Sequence, residues 1–129
     1  MIIVDTSVWV DFLRGADQDL QPHLSRQEVI CHPMVIGELA CGTLPKRTFA
    51  LRRLRNLPTA KVVDHKTLLD FIESWSLHGR GIGYVDAHLL ASSRLGEARW
   101  LWTRDKRLNG LAGELGVAFD RGRARPLVR

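Results

Sequence analysis

Apolar positions fall in short blocks along this chain, separated by longer stretches in which they recur every three or four residues. Ile2-Ile3-Val4 is a brief β-branched run, and the segment from Ser7 to Arg14 that follows has helical period. The unit recurs. A second apolar run, Glu28 to His32, leads through Pro33 into a helical stretch from Met34 to Cys41, with proline suited to the first turn and Gly42 to the end. A basic helix is predicted from Lys46 to Asn56, ended by the breaker Pro58, and a third run, Lys61 to Asp64, is expected to be a strand feeding a helix from Lys66 to His78. Gly79, Gly81 and Gly83 mark a loop. The remainder reads as a helix from Tyr84 to Leu95 closed by Gly96, a strand from Arg99 to Thr103, a helix from Lys106 to Leu115 closed by Gly116, and a last strand from Val117 to Phe119.

Repeated strand-helix units specify a parallel sheet, because parallel neighbours need crossovers and right-handed crossovers lay helices on the sheet faces. The expected fold class is therefore α/β, a three-layer α/β/α sandwich with a parallel central sheet. The chain has 129 residues, without internal repeat, low-complexity tract or long linker, so a single domain over 1–129 is expected. No apolar run approaches the roughly 18 residues of a membrane span. Met1 passes straight into the first strand with no basic n-region or cleavage site, which predicts no export and a cytoplasmic location. Cys31 and Cys41 each sit in an apolar stretch and form no CxxC pair, and both read as core thiols in a reducing compartment.

The formal charge of +5 is unevenly spread, with one cluster at Lys46, Arg47, Arg52, Arg53 and Arg55 and another at Arg121, Arg123, Arg125 and Arg129. Such clusters suit a polyanion, and equally a solvated face or a basic tail. Trp9, Trp75, Trp100 and Trp102 are read as core rather than as base-stacking platforms.

Fourteen acidic residues are present, and ten of them, among them Asp17, Asp19, Glu28, Glu97 and Glu114, occupy ordinary surface or turn positions. Four do not. Asp5 and Asp105 each follow a predicted strand directly, at the carboxyl edge where open α/β sheets place their sites; each is also well placed to cap the next helix. Glu38 lies within a helix whose neighbouring turns offer Met34, Val35, Cys41 and Gly42, none able to pair with a charge. Asp86 is flanked by Ile82, Gly83, Leu89 and Leu90, and its alternative is a first-turn acid favoured by the helix dipole. Several unpaired carboxylates brought out of water together need a cation. Without a Cys or His set at ligand spacing, the expected cation is Mg²⁺ or Mn²⁺ rather than zinc.

The segments carrying these acids, Met-Ile-Ile-Val-Asp5-Thr-Ser-Val-Trp, Val-Ile-Gly-Glu38-Leu-Ala, Tyr-Val-Asp86-Ala-His-Leu-Leu-Ala and Trp-Thr-Arg-Asp105-Lys-Arg-Leu, resemble in order those of VapC-type PIN-domain toxins. The resemblance implies a PIN fold with one acidic pocket formed by Asp5, Glu38, Asp86 and Asp105, supported by the hydroxyls of Thr6 and Thr103. It implies metal at Asp5, Asp86 and Asp105, one or two Mg²⁺ or Mn²⁺ ions, and cleavage of structured RNA such as tRNA or rRNA to stop translation. The implied partners are RNA, an antitoxin that blocks the pocket and alone contacts operator DNA, and a second copy in a homodimer. Asn109 stands where some relatives carry a further acid, which bears on a second metal. Leu44, Phe49, Leu51, Leu54 and Leu57, on or beside the basic helix, are candidates for contact with a dimer mate or the antitoxin as well as with the core.

Two other functions fit an acid after the first strand. A phosphatase forming an aspartyl phosphate would want a second acid at position 7, where this chain has Ser7. A catalytically silent RNA-binding or signalling domain of the same fold would have no use for the full acidic set.

Overall fold

Ile2-Ile3-Val4 forms β1 (Ile2–Val4), the central strand of a parallel sheet, in a computed structural model that describes residues 1–120. All three side chains are buried, as befits a parallel strand covered on both faces. On one side β1 pairs with β2 (Val29–Ile30), Ile2 opposite Val29 and Ile3 opposite Ile30. On the other it pairs with β3 (Trp100–Trp102), from Ile2 opposite Trp100 to Val4 opposite Trp102. Single bridges extend both edges, Cys31 to Thr59 and Leu101 to Ala118.

Seven helices accompany the sheet among the described residues: α1 (Thr6–Leu13), α2 (Gln21–Ser25), α3 (Pro33–Cys41), α4 (Arg47–Arg55), α5 (His65–Ser74), α6 (Tyr84–Leu95) and α7 (Lys106–Glu114). Together they make the α/β/α arrangement. Side chains of Asp5, His32, Asp64 and Asp105 cap α1, α3, α5 and α7, satisfying backbone N–H groups that a helix start leaves unpaired. None of the described helices is long and apolar enough to cross a membrane.

Three local differences from the sequence pattern have physical causes. Residues 61–64 form no strand, because the backbone bonds along β2's edge are taken slightly earlier: Cys31 N–H donates to Pro58 O at 2.7 Å and Ala60 N–H to Cys31 O at 2.9 Å. Asp64 instead caps α5, which ends at Ser74, shortly before Ser76 turns to a φ of +52°. Helix α2 has five residues, too few to show a period. The third difference concerns the thiols: Cys31 is buried, and burial pushes its pKa up to about 12, whereas Cys41 lies exposed at the end of α3 and is no core residue.

On the basic helix α4, Leu51 and Leu54 face the protein's own core, as does Leu44 ahead of it; Leu57 is half-buried and Phe49 exposed. Of the tryptophans, Trp9 and Trp102 are buried and Trp100 half-buried, while Trp75 is exposed with the Arg94 guanidinium over its ring.

Candidate acidic site

Parallel pairing of β1 with β3 sets their carboxyl ends side by side, so Asp5 and the turn 103–105 meet; the Asp5 N–H itself donates to Trp102 O at 2.9 Å. Asp5 is buried, and its Oδ1 accepts the Thr6 N–H at 2.8 Å. Its Oδ2 accepts two hydroxyls, Ser7 Oγ at 2.9 Å and Thr103 Oγ1 at 2.7 Å. Each hydroxyl in turn accepts a backbone N–H from the turn, Arg104 onto Ser7 at 3.1 Å and Asp105 onto Thr103 at 3.0 Å. Two polarised chains therefore converge on one carboxylate oxygen.

The other three acids approach from separate elements. Asp105 caps α7, its Oδ1 accepting from the Arg107 and Leu108 N–H groups at 2.9 and 3.1 Å. Glu38, on α3, is exposed; its Oε1 accepts the Thr6 hydroxyl at 2.6 Å. Asp86, in the first turn of α6, is half-buried, and its Oδ2 accepts the Gly83 N–H at 3.2 Å. Burial raises the Asp86 pKa above its usual value against the lowering effect of the Gly83 bond, and repulsion from Asp5, Asp105 and Glu38 raises it further. All four predicted acids thus share one electrostatic neighbourhood.

None of the four pairs with a cation among the described residues, although ion pairs are common elsewhere in the chain. Asp11 and Asp17 hold Arg104, Glu28 holds His23 and Arg26, Asp70 meets Lys66, and Glu114 meets Arg80. Among the described residues, Glu38 Oε2, Asp86 Oδ1 and Asp105 Oδ2 accept no protein hydrogen bond, and Asp5 Oδ1 accepts only one.

Hard oxygen donors with net negative charge and no nitrogen or sulfur ligand suit Mg²⁺ or Mn²⁺. Among the described residues, no three acidic, histidine or cysteine side chains stand grouped as they would be around a metal ion.

Sequence reasoning named Thr6 and Thr103 but gave Ser7 no part in the site, using it only at the helix start and as the residue that stands where a phosphatase would want a second acid; its signal was its position two residues after Asp5 in the same turn. Arg104 was missed altogether. Two cations sit close to α3, the helix carrying Glu38: Arg47 donates to Ala40 O at 2.7 Å and Arg14 to Thr43 O at 3.3 Å. The arginine cluster at 121, 123, 125 and 129 lies outside the described residues.

The PIN domain family model matches residues 2–114 of the chain. Two curated relatives, both named Ribonuclease VapC32 and from the CDC 1551 / Oshkosh and H37Rv strains of Mycobacterium tuberculosis, are each 48% identical over 119 residues, covering 92% of this chain and 96% of the relative.

Proposed function

This chain belongs to the PIN-domain family as an endoribonuclease toxin of the VapC type, and from that premise we propose that Asp5, Glu38, Asp86 and Asp105 are its catalytic acids and that it cuts RNA with Mg²⁺ or Mn²⁺. The observation that carries this reading is the convergence of four carboxylates, none neutralised by a cation among the described residues, with Asp86 repelled by the other three. An uncompensated acidic group of this kind costs stability and is kept for a cation that is not part of the chain.

Asp5, Asp86 and Asp105 would hold the ion, Asp5 through the lone pair left on Oδ1, Asp86 through Oδ1 and Asp105 through Oδ2. Bound there, the ion would supply a water of lowered pKa and positive charge against the scissile phosphate. Glu38, exposed and held by the Thr6 hydroxyl, orients the attacking water and takes its proton. The water oxygen would bond to phosphorus as the bond to the 3′ oxygen breaks, and that oxygen would take a proton from solvent water, giving a 5′-phosphate and a 3′-hydroxyl. Thr103 and Ser7 keep Asp5 Oδ2 engaged and so fix the plane of its carboxylate. Arg14 and Arg47, beside α3, are suited to holding the RNA backbone.

Residues 1–129 are taken as a single PIN domain acting in the cytoplasm. Its substrate is a structured RNA, tRNA or rRNA; its partners are an antitoxin that covers the acids and carries the contact with operator DNA, and a second copy of the chain in a homodimer. The test is cleavage of total RNA with Mg²⁺ or Mn²⁺, against EDTA and an Asp5→Asn variant, with the 5′ ends sequenced. Discrete metal-dependent cuts that vanish in the variant are expected. Equal cutting by the variant would move a catalytically silent RNA-binding role to the front.

A further inference from the structure

The turn that carries Asp105 is held from two sides. On its inner side Thr103 and the backbone of residues 104 and 105 bond to the Asp5 group. On its outer side a single residue, Arg104, reaches back across α1. Its Nε donates to Asp11 Oδ2 at 2.8 Å and its Nη2 to Asp17 Oδ2 at 2.6 Å. Asp11 belongs to α1, whose first turn supplies Thr6 and Ser7, and Asp17 lies in the bend after that helix.

We propose that Arg104, through Asp11 and Asp17, is a positioning residue that fixes the Asp105 carboxylate for metal, a role that rests on the acids being the metal site. The planar guanidinium spans two separate acids at once through donors in a fixed fork, a geometry that the rotatable donors of an ammonium do not pre-organise. The bonds are charge-assisted and partly shielded, the arginine side chain being 33% exposed and Asp17 27%. They tie the turn to the helix that bears Thr6 and Ser7, so that Asp5 and Asp105 are placed by one rigid unit rather than by two independent segments. The same bonds engage the guanidinium of Arg104, which precedes Asp105 directly, with Asp11 and Asp17 rather than with the four carboxylates.

The experiment measures Mn²⁺ binding by electron paramagnetic resonance and calorimetry on the full chain, for the wild type, Arg104→Gln, Arg104→Lys, Asp11→Asn/Asp17→Asn, and the triple variant combining that pair with Arg104→Gln. Near-ultraviolet circular dichroism in EDTA checks that each is folded. Loss of outer-shell partners weakens metal sites by roughly 10- to 100-fold, so a dissociation constant raised about 10-fold is expected both for Arg104→Gln and for the paired aspartate variant. The triple variant should be no weaker than either, and Arg104→Lys should recover part of the loss. Binding of Mn²⁺ by Arg104→Gln as tightly as by the wild type overturns the proposal, as do effects of the two substitutions that multiply in the triple variant. If Arg104→Gln does not fold, the aspartate pair and Arg104→Lys decide by the same criterion. Failure of the catalytic-site reading looks different: the wild type itself would then bind no Mn²⁺, or Asp5→Asn would bind it unchanged.

Discussion

Replacing Asp86 by Asn should make the metal-free protein more stable while destroying its response to metal. In the folded chain Asp86 is half-buried and faces three other carboxylates, with one favourable contact among the described residues, the Gly83 N–H. An asparagine keeps that contact through its amide oxygen and removes the charge that burial and the three neighbours penalise. Relief at functional sites of this type is worth about 0.5–2 kcal/mol, or about 2–8 °C in Tm for a domain of this size. Metal reverses the order. At a free ion concentration 100 times the dissociation constant the wild type gains about 2.7 kcal/mol, whereas a variant whose affinity has dropped about 100-fold gains only about 0.4.

The pH dependence gives this prediction a second edge. Asp86 has a folded pKa raised above 3.8, so its share of stability is fully present below that value and is lost as pH rises through the raised value. In EDTA the variant's advantage should therefore be absent near pH 4 and grow towards pH 7. Glu28, Asp64, His32 and His88 titrate in both proteins, so the difference between the two curves isolates Asp86. The measurement is calorimetric Tm for both proteins from pH 4 to 8, in EDTA and in MnCl₂. An Asp86→Asn protein that is less stable than the wild type in EDTA at pH 7, or whose Tm rises with Mn²⁺ as far as the wild type's, refutes the reasoning.

Burial, and then repulsion from His88, lowers the His32 pKa to about 4. Its contribution, about 3 kcal/mol, is thus present above pH 6.5 and lost as pH falls towards 4, and His32→Asn, which retains a capping side chain, should flatten Tm over that window. Gly81 has a φ of +84°, and a Cβ there would lie 2.6 Å from Arg107 Cδ, so Gly81→Ala should lower the urea midpoint by the equivalent of about 1–3 kcal/mol. On α4, Leu54→Ala should cost about 2–5 kcal/mol and Phe49→Ala under about 1, because Leu54 is in the core and Phe49 is half in water; comparable losses in chemical denaturation would contradict the assigned orientation of the helix.

The strand-helix alternation was legible because a three-residue β-branched run and a helical period leave different marks, and the strand β1, the helix α6 and the acids attached to them follow from that pattern. What escaped was whatever depended on a partner distant in sequence. The run 61–64 looks like a strand by composition, yet the choice between it and residues 58–60 is made by where Cys31 finds its backbone bonds. Cys41 sits in an apolar neighbourhood of sequence, but the end of α3 turns it to solvent. Ser7 and Arg104 acquire their roles only when β1 and β3 lie side by side, which places a residue beside one 97 positions away.

Capping and ligation appear as rivals for Asp5 and Asp105 when each is judged alone in sequence. In three dimensions a carboxylate has two oxygens, and under the proposed metal site the two roles can divide between them at Asp105, whereas at Asp5 both oxygens accept protein hydrogen bonds. Asp105 caps α7 with Oδ1 and leaves Oδ2 unbonded among the described residues; Asp86 holds the Gly83 N–H with Oδ2 and leaves Oδ1. Glu38 follows the same division, with Oε1 on Thr6 and Oε2 left over. If these acids hold the proposed ion, the backbone bond is what would aim the ligand: a helix start fixes one oxygen of Asp105 or Asp86 and thereby the direction of the other. Asp5 and Asp105 stand at helix starts directly after parallel strands and Asp86 in the first turn of α6, where backbone N–H groups help to hold them, whereas Glu38, in the second turn of α3, is held by a hydroxyl from another element. Removing that hydroxyl with Thr6→Val should accordingly disturb cleavage more than stability, since Glu38 is exposed and loses only its orientation.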